Sequence, residues 1–222
     1  MSIKNTIKSL DFFTTLNDQE LDNLAQISHV TNYNENYILS YEKAETDKLI
    51  FLVDGLAKSY KIDKHENEIF LYHIHKNSML SDISDINANK LYFFSNIAFL
   101  DDSKILSIDY EAFKNTFLKN NILNMEFINE ILVKSQQMKT LINREFIFDS
   151  VAKVAMMIDS DLDMFNKLKR HDIALMLHLQ PSTLSRVLNR LKKNNIIDIV
   201  QGKVSILDKQ NLEIIYKESS YE

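Results

Sequence analysis

The chain has 222 residues, 45% of them hydrophobic and 26% charged, a balance that permits a buried core and excludes a fully disordered protein. It contains no Cys, which excludes disulfides, thiolate catalysis, Cys-bound zinc and an iron–sulfur cluster held by its own thiolates. No segment approaches the roughly 18 apolar residues of a membrane span, and the first residues lack the apolar run of a signal peptide. We therefore expect a cytoplasmic protein with no membrane partner.

Charge is distributed unevenly along the chain. Residues 167–203 carry eight Lys and Arg against two Asp, a net charge of +6, whereas the whole chain carries −5 and its remainder −11. An acidic body with one compact basic segment indicates a local site for a polyanion.

Before residue 110 the pattern favours short strands. Residues 10–27 predict a helical lead-in, and apolar or alternating runs predict strands at 49–53, 56–62, 69–75, 91–100 and 105–108. Asp54 and Gly55 predict a hairpin turn between the first two of these strands. Several short strands separated by turns indicate a β-barrel or a β-sandwich.

A long amphipathic helix is predicted from residue 121 to residue 144. Its apolar side steps by three and four residues along Ile128, Ile131, Ser135, Met138 and Ile142. Two partners fit this stripe, namely the helix's own domain and a second copy of the same helix. Because the stripe is narrow and the helix is long, we predict a dimerisation helix.

The last part of the chain is predicted to be helical. Asp149 or Ser150 is expected to cap a helix over residues 151–158, and the acidic residues 159–163 are expected to form a loop. The predicted organisation is therefore α+β, with a β-domain over residues 1–118, the long helix over 119–145 and a helical domain over 146–222.

Residues 169–193 predict two short helices joined by a tight turn. Pro181 suits the first turn of the second helix because its missing N–H would be unpaired there. The second helix has an apolar inner stripe formed by Leu184, Val187, Leu188 and Leu191. Its outer face carries side chains that suit base edges and phosphates, namely Ser182, Ser185, Arg186 and Asn189. Residues 196–200 and 203–207 predict a two-stranded wing with Gly202 in its turn.

With these features the chain resembles the CRP/FNR superfamily of dimeric bacterial transcription regulators over almost its whole length. Five segments carry the resemblance: residues 16–21, 50–60, the long helix, 170–174 and 181–186. The Pro-x-Thr-Leu-Ser-Arg form of the last segment is most similar to the branch of nitric-oxide-responsive regulators. The resemblance implies an N-terminal β-roll sensor of the cyclic-nucleotide-binding jelly-roll type, a homodimer through the long helix and a C-terminal winged helix–turn–helix.

The resemblance also implies partners and residue roles. The expected partners are double-stranded DNA with a pseudo-palindromic operator, a second copy of the chain and RNA polymerase, and the expected hinge is Phe146, Phe148 and Asp149. Base contacts are expected from Ser182, Thr183, Ser185, Arg186 and Asn189. Phosphate contacts are expected from Lys169, Arg170, Arg190, Lys192, Lys193 and Lys203.

Two departures from the family concern the DNA-binding motif. Ser182 stands where the family commonly has Glu, which changes the expected operator preference at one base pair, while Arg186 can still pair with guanine. His178 stands in the turn where the family usually has Gly. We interpret it as a tolerated left-handed or near-helical residue and not as a ligand.

A third departure concerns the effector. Cyclic-nucleotide-binding members hold the phosphate with a Gly-Glu pair and an Arg-Ser or Arg-Thr pair, and those positions fall near residues 80–81 and 93–94. These are Leu-Ser and Phe-Phe here, so a buried phosphodiester would lack a cation at a cost of several kcal/mol. Cyclic AMP is therefore not the expected effector, and the absence of Cys excludes the iron–sulfur cluster of the oxygen-sensing branch.

Histidine and aromatic residues leave a haem hypothesis open. His73 and His75 lie two apart on a predicted strand, so they share one face and are candidate haem ligands, as haem-based sensing in related branches suggests. Ordinary solvent-facing or hydrogen-bonded imidazoles are the simpler interpretation, and we prefer it. Phe70, Phe93, Phe94 and Phe99 could line a pocket for a planar cofactor, but such spacing is more typical of a core. No cofactor is assigned.

No catalytic motif is present, and two glycines are too few for the usual phosphate-binding loops, so we predict a protein that is not an enzyme. The first hypothesis is a homodimeric DNA-binding regulator controlled by a signal at the β-domain, with nitric oxide or nitrosative stress acting through haem as a suggestion. The alternative is a haem- or ligand-binding sensor that acts through a protein partner. Only DNA binding should weaken steeply with salt, which separates the two.

Overall fold

The computed structural model describes residues 2–217 and divides the chain into two compact units, Met1–Gln137 and Met138–Glu222. The architecture is α+β, as predicted, with an N-terminal β-sheet domain, a long helix and a C-terminal helix–turn–helix that carries a small hairpin wing. Within the described residues, no helix combines the length and the apolar character that crossing a membrane requires. The predicted three-domain boundaries stay a prediction.

The strands of the first unit form two four-stranded antiparallel sheets and one two-stranded ribbon. One sheet has the strand order β1-β10-β4-β7, the other has the order β2-β9-β5-β6, and β3 pairs with β8. The strands are β1 (Ser28–Tyr33), β2 (Ile38–Ser40), β3 (Glu45–Thr46), β4 (Lys48–Asp54), β5 (Leu56–Ile62), β6 (Glu68–His75), β7 (Ser78–Met79), β8 (Leu91–Tyr92), β9 (Asn96–Phe99) and β10 (Ser103–Asp109).

Asp54 and Gly55 form a corner between the two sheets, so the predicted hairpin is wrong. β4 pairs with β10 and β7, whereas β5 pairs with β6 and β9. Gly55 has a φ of +99°, and a Cβ placed on it would lie 2.2 Å from Ser103 Oγ, so only glycine fits here. Turn chemistry specifies the local bend but not which sheet the next strand joins. The strand predicted over residues 91–100 divides in the same way into β8 and β9.

Helices and sheets of the first unit enclose two apolar clusters. The helices are α1 (Ile3–Lys8), α2 (Asp18–Gln26), α3 (Tyr110–Thr116) and α4 (Asn124–Ile142). The larger cluster packs the helices on the β1 sheet and contains the buried rings of Phe13, Phe51, Phe113 and Phe127. The smaller cluster contains Leu52, Phe93 and Phe99. The predicted lead-in helix is therefore confirmed in part, as α2 with a short 3₁₀ turn before it.

The long helix α4 begins later than predicted. Residues 118–120 form a 3₁₀ turn, and Asn121 and Leu123 have φ values of 60° and 63°, which are incompatible with a helix there. At the other end, α-helical bonding continues to Ile142 and is followed by a π-helical segment, Asn143–Ile147. The hydrogen bonds of a π-helix join residues five apart and not four apart, so the regular α-helical hydrogen-bond pattern of α4 stops at this segment.

The second unit is helical apart from its wing. Its elements are α5 (Ser150–Ser160), α6 (Leu162–Lys167), α7 (Arg170–Met176), α8 (Pro181–Lys193), β11 (Ile197–Val200), β12 (Lys203–Ile206) and α9 (Lys209–Lys217). Of the two predicted caps, Asp149 and Ser150, it is Asp149 that caps α5, because its side chain accepts hydrogen bonds from the N–H groups of Val151 and Ala152. The predicted acidic loop is wrong, because α5 continues to Ser160 and Asp161 caps α6. Carboxylates favour helix starts as much as loops.

Candidate nucleic-acid interface

The helix pair α7 and α8 is held by the apolar stripes that the sequence predicted. Ile173 and Ala174 of α7 are completely buried, and the small side chain of Ala174 allows close packing. The buried side chains of α8 are Leu184, Val187, Leu188 and Leu191. They pack in one cluster with α5, α6 and α9, so the opposite face of α8 is left for solvent.

The turn between the two helices is a Schellman motif with His178 in the left-handed position. The N–H of His178 donates to the Leu175 carbonyl at 3.0 Å, and the N–H of Leu179 donates to the Ala174 carbonyl at 2.8 Å. The φ of His178 is 54°, which confirms the predicted left-handed conformation. Glycine is the usual residue at this position, because a side chain there costs about 1–2 kcal/mol.

The outward face of α8 presents the predicted base-contact residues with one exception. Ser182, Ser185, Arg186 and Asn189 are exposed. Thr183 is half-buried, and its hydroxyl accepts from Arg186 Nη2 at 3.2 Å. Thr183 therefore holds the Arg186 guanidinium on the helix surface, and a direct contact of Thr183 with a base stays a prediction.

The six cations predicted to contact phosphates differ in their exposure and in their partners among residues 2–217. Lys169, Arg190 and Lys193 are exposed at the two ends of the motif. Lys192 forms an ion pair with Asp198 at 2.9 Å, which lowers the pKa of that carboxyl by a hydrogen bond, and Lys203 Nζ donates to the Asn166 carbonyl at 2.6 Å. These two lysines remain exposed, so their ammonium groups can exchange one partner for another.

Arg170 is built into the fold, unlike the other five cations. Its Nη2 donates to the Gly202 carbonyl at 2.7 Å, and its guanidinium lies 4.9 Å from the centre of the Phe165 ring. Its Nη1 is buried and finds no acceptor within residues 2–217, and burial lowers the pKa of the guanidinium. The charge of Arg170 still contributes to the basic surface, but its hydrogen bond connects the start of α7 to the wing.

The wing itself is a tight hairpin fastened from outside by Asn166. Gln201 and Gly202 both have positive φ, 49° and 80°, the pattern of a type I′ turn, and Val200 pairs with Lys203. The Asn166 side chain donates to the Val204 carbonyl at 2.8 Å and accepts from the Val204 N–H at 2.7 Å. The contact of Asn166 with the wing was not predicted from the sequence, because no pattern within α6 indicates that one of its residues binds a strand 38 positions away.

A cleft of about 200 Å³ separates α8 from the wing. It is lined by Arg170, Pro181, Leu184, Ser185, Leu188, Asn189, Ile199 and Gly202. Base-facing residues of α8 and the wing turn therefore border one depression, as expected if one ligand contacts both.

The three predicted hinge residues have different environments. Asp149 is the cap of α5, and Phe148 is buried 6.2 Å from the Tyr216 ring, so both belong to the fold of the second unit. Phe146 is 82% exposed within the π-helical segment. A hinge role for these residues stays a prediction, and Phe146 is the member of the three with room to move.

Helix α4 presents one polar and one apolar face. The polar face is anchored to the first unit: Glu126 accepts from the Thr15 hydroxyl at 2.8 Å, the Met79 N–H donates to Glu130, and Lys134 forms an ion pair with Asp82 at 3.1 Å. Burial raises the pKa of Glu130 despite that N–H.

The apolar face of α4 differs from the predicted dimerisation stripe. Ile131 packs on the core of its own unit, and Met138 is half-buried. On the part of α4 that belongs to the first unit, Met125, Ile128, Leu132 and Val133 are exposed, and Ser135 and Ile142 of the predicted stripe are exposed further along. Ile131 therefore contacts the chain's own core while the adjacent Leu132 is exposed, a difference that the sequence pattern could not show, and a dimerisation role for the predicted stripe stays a prediction.

The positions corresponding to a nucleotide phosphate site are occupied by the chain's own groups. The buried Ser81 hydroxyl accepts from the Ile50 N–H at 2.9 Å. The Phe94 N–H donates to the carboxylate of Asp82 at 3.0 Å, and the other oxygen of that carboxylate pairs with Lys134. A negative side chain therefore stands where a phosphodiester would need positive charge.

The haem candidates do not come together in one pocket. His73 and His75 flank the buried Ile74 on β6 and point away from the sheet interior, with ring centres 6.3 Å apart. Phe93 and Phe99 are buried in the smaller core, whereas Phe94 is exposed beneath Lys61. Within residues 2–217, no three of His, Asp and Glu are grouped to hold a metal ion. A haem role for His73 or His75 stays a hypothesis.

Residues 155–215 match the family model of the Crp-like helix-turn-helix domain. The described fold is also similar to solved regulators. A CooA variant from Carboxydothermus hydrogenoformans aligns with a TM-score of 0.67 at 18% identity, over 87% of this chain and 88% of that one. A protein from Eubacterium rectale, described as a transcriptional regulator of the crp/fnr family, gives 0.60 at 17% identity, over 95% and 99%. FixK2 from Bradyrhizobium japonicum gives 0.63 at 13% identity, over 85% and 97%.

The chain therefore carries a Crp-like helix-turn-helix, a DNA-binding module, over residues 155–215. No curated protein matches its sequence. At these identities the solved structures establish the shared fold, and the Crp-like domain establishes the DNA-binding module; the predicted nitric-oxide branch is not resolved.

Proposed function

We propose that the chain is a CRP/FNR-type transcription regulator that binds a pseudo-palindromic operator as a homodimer, each subunit inserting α8 into a major groove. One observation carries this proposal: a helix starting at Pro181 buries its apolar stripe and exposes Ser182, Ser185, Arg186 and Asn189 together. In such dimers the two recognition helices reach successive major grooves about 34 Å apart.

Arg186 is the proposed main base-reading residue. Its guanidinium can bond the O6 and N7 atoms of one guanine, the most frequent specific contact in the major groove. The hydrogen bond to Thr183 supports this role, because a guanidinium held on the helix surface loses less conformational freedom on binding. Lys169, Arg190 and Lys193 are the proposed phosphate contacts, and Lys192 and Lys203 join them by releasing their present partners.

Dimerisation is proposed to use the apolar face of α4, with Met125, Ile128 and Leu132 as its centre. These residues are spaced by three and four, and the polar side of the same helix turn is held by its own unit through Glu130 and Lys134. An exposed apolar stripe on an anchored helix is typical of a surface that pairs with a copy of itself.

The effector is proposed to act at the β-domain and to be neither cyclic AMP nor an iron–sulfur cluster. The pairing of Asp82 with Lys134 and the Phe94 N–H supports the first exclusion, and the absence of Cys supports the second. Nitric oxide or nitrosative stress rests on the similarity of residues 181–186 alone. An absorption spectrum of the purified protein with haem and nitric oxide tests it: a Soret band shifted by the gas supports gas sensing, and no haem uptake removes the haem route.

Selection from a randomised duplex library tests the operator proposal. The bound sequences should converge on an inverted repeat, two chains should bind one duplex, and affinity should fall steeply as salt rises. Failure to enrich any sequence, with a flat salt response, would favour the alternative in which the winged helix contacts a protein. Contact with RNA polymerase is expected once the operator is occupied, and a footprint extended by polymerase on the selected duplex would support it.

A further inference from the structure

His178 keeps a conformation that its own side chain disfavours. It occupies the left-handed position of the Schellman turn, with a φ of 54°, where glycine has no steric cost. The imidazole is only one-third exposed and is directed to a partner, since Nδ1 lies 2.8 Å from Oε2 of Glu145. A side chain at this position therefore makes a contact that glycine could not.

Glu145 lies in the π-helical segment that directly follows α4, and two cationic side chains and an imidazole surround its carboxylate. Arg144 Nε donates to Oε1 at 2.7 Å, and Lys153 Nζ of α5 lies 4.0 Å from Oε2. Nδ1 of His178 lies within hydrogen-bonding distance of Oε2 of Glu145. Arg144 is buried at 6% exposure, so the carboxylate is held firmly on its own side and presents one oxygen to the turn.

The contact with His178 is suited to fixing position. A neutral imidazole and an imidazolium can both donate from Nδ1, so the bond does not depend on protonation of the ring. Arg144 and Lys153 contact Glu145 from the π-helical segment and from α5, whereas His178 contacts it from the turn itself. Three residues after His178, Pro181 begins α8, so any displacement of the turn displaces the recognition helix.

We infer that His178 and Glu145 are positioning residues for the recognition helix, their hydrogen bond fixing the turn before α8 to the segment that follows α4. This inference rests on DNA binding by α8 and adds that the direction of α8 is set from the end of the long helix. It also gives a reason for His in place of the usual Gly: the side chain makes a positioning contact that glycine cannot make, at the cost of backbone strain. Movement of the π-helical segment would thereby reach the DNA-binding surface through one side-chain bond.

The experiment uses the full-length chain, the duplex that it selects from a randomised library and a scrambled duplex of equal length. The variants are His178→Gly, Glu145→Ala, Glu145→Gln and the double variant His178→Gly with Glu145→Ala. His178→Gly relieves the left-handed strain, so its melting temperature should equal or exceed that of the wild type. We nevertheless expect its affinity for the selected duplex to fall about tenfold and its affinity for the scrambled duplex to change much less.

Glu145→Ala should show the same tenfold loss on the selected duplex, and the double variant should lose no more than either single variant, because all three lack the same bond. Glu145→Gln retains an oxygen acceptor and should recover most of the affinity. Wild-type affinity in His178→Gly, additive losses in the double variant, or losses that follow the melting temperature would each overturn the inference. If the wild type itself selects no sequence, the proposed operator binding fails instead.

Discussion

The guanidinium of Arg170, the first residue of α7, donates to the carbonyl of Gly202 at the tip of the wing over 2.7 Å. This bond spans 32 positions of the sequence and joins the two parts of the module that border the cleft beside α8. The carbonyl belongs to a turn whose conformation favours glycine, since Gly202 has a φ of 80°, and a Cβ placed on it would point into open space.

Arg170→Met should therefore loosen the wing without unfolding the second unit. The substitution keeps a long unbranched side chain but removes the guanidinium that lies over Phe165 and donates to Gly202, at a cost of about 1–3 kcal/mol in local stability. Amide hydrogen exchange should become faster at Lys203 and its neighbours, and affinity for the selected duplex should fall. Lys169→Ala, an adjacent exposed cation, is the matched control and should reduce affinity with no change in exchange at the wing.

Arg186→Ala should weaken binding to the selected duplex by about 1–3 kcal/mol and relax preference at one base pair in each half-site. Its control is Lys193→Ala, which removes an exposed cation from the end of the same helix. That control should weaken all duplexes similarly and reduce the salt slope by about one. Titrations of both variants at several salt concentrations distinguish the two patterns, and an equal loss for Arg186→Ala on scrambled DNA would contradict base readout.

Leu132→Glu should dissociate the proposed dimer. Leu132 is 59% exposed at the centre of the apolar face of α4, so a carboxylate there would meet its symmetry copy in a desolvated seam. Val133→Glu is the matched control. Val133 is the next residue in the chain and is 51% exposed, but it lies outside the three-and-four spacing of Met125, Ile128 and Leu132. Sedimentation should give a monomer for the first variant and a dimer for the second. Identical behaviour of the two would place the interface elsewhere.

Glu145 should make the second unit sensitive to acid. Burial alone would raise the pKa of this carboxyl, but hydrogen bonds from Arg144 and His178 bring its pKa below the ordinary value of 4.5. Because the folded-state pKa is the lower one, the ionised carboxylate stabilises the fold above about pH 4.5, and that contribution is lost as the pH falls through the folded-state pKa. The melting-temperature advantage of wild type over Glu145→Gln should shrink below about pH 4.5. A constant difference down to strong acid would contradict the shift.

Cyclic AMP at millimolar concentration should leave the melting temperature of the wild type unchanged. A ligand that binds only the folded state would raise it by mass action, but a phosphodiester near Phe94 would meet the Asp82 carboxylate. Differential scanning fluorimetry with and without the nucleotide checks this. A shift that grows with nucleotide concentration would mean that Asp82 leaves its partners, Lys134 and the Phe94 N–H, to admit the anion.

Local patterns predicted the parts of the DNA-binding unit whose causes are local. The buried stripe of α8 follows from a period of 3.6 residues, its start follows from Pro181, and the wing turn follows from Gly202. The same reasoning failed where two local solutions were equally good. The carboxylates of residues 159–163 suited both a loop and a helix cap, and Asp54 with Gly55 suited both a hairpin and a corner.

The sequence alone determined that a helix in the basic segment exposes a face of Ser, Arg and Asn. It could do so because helix periodicity and capping depend on residues that lie close together in the chain. Only the tertiary structure decided which cations are free, since Arg170, Lys192 and Lys203 are engaged by Gly202, Asp198 and Asn166. It also decided that His178 has a partner in Glu145, 33 positions earlier. Such pairings depend on how distant elements pack, and no spacing within one segment encodes them.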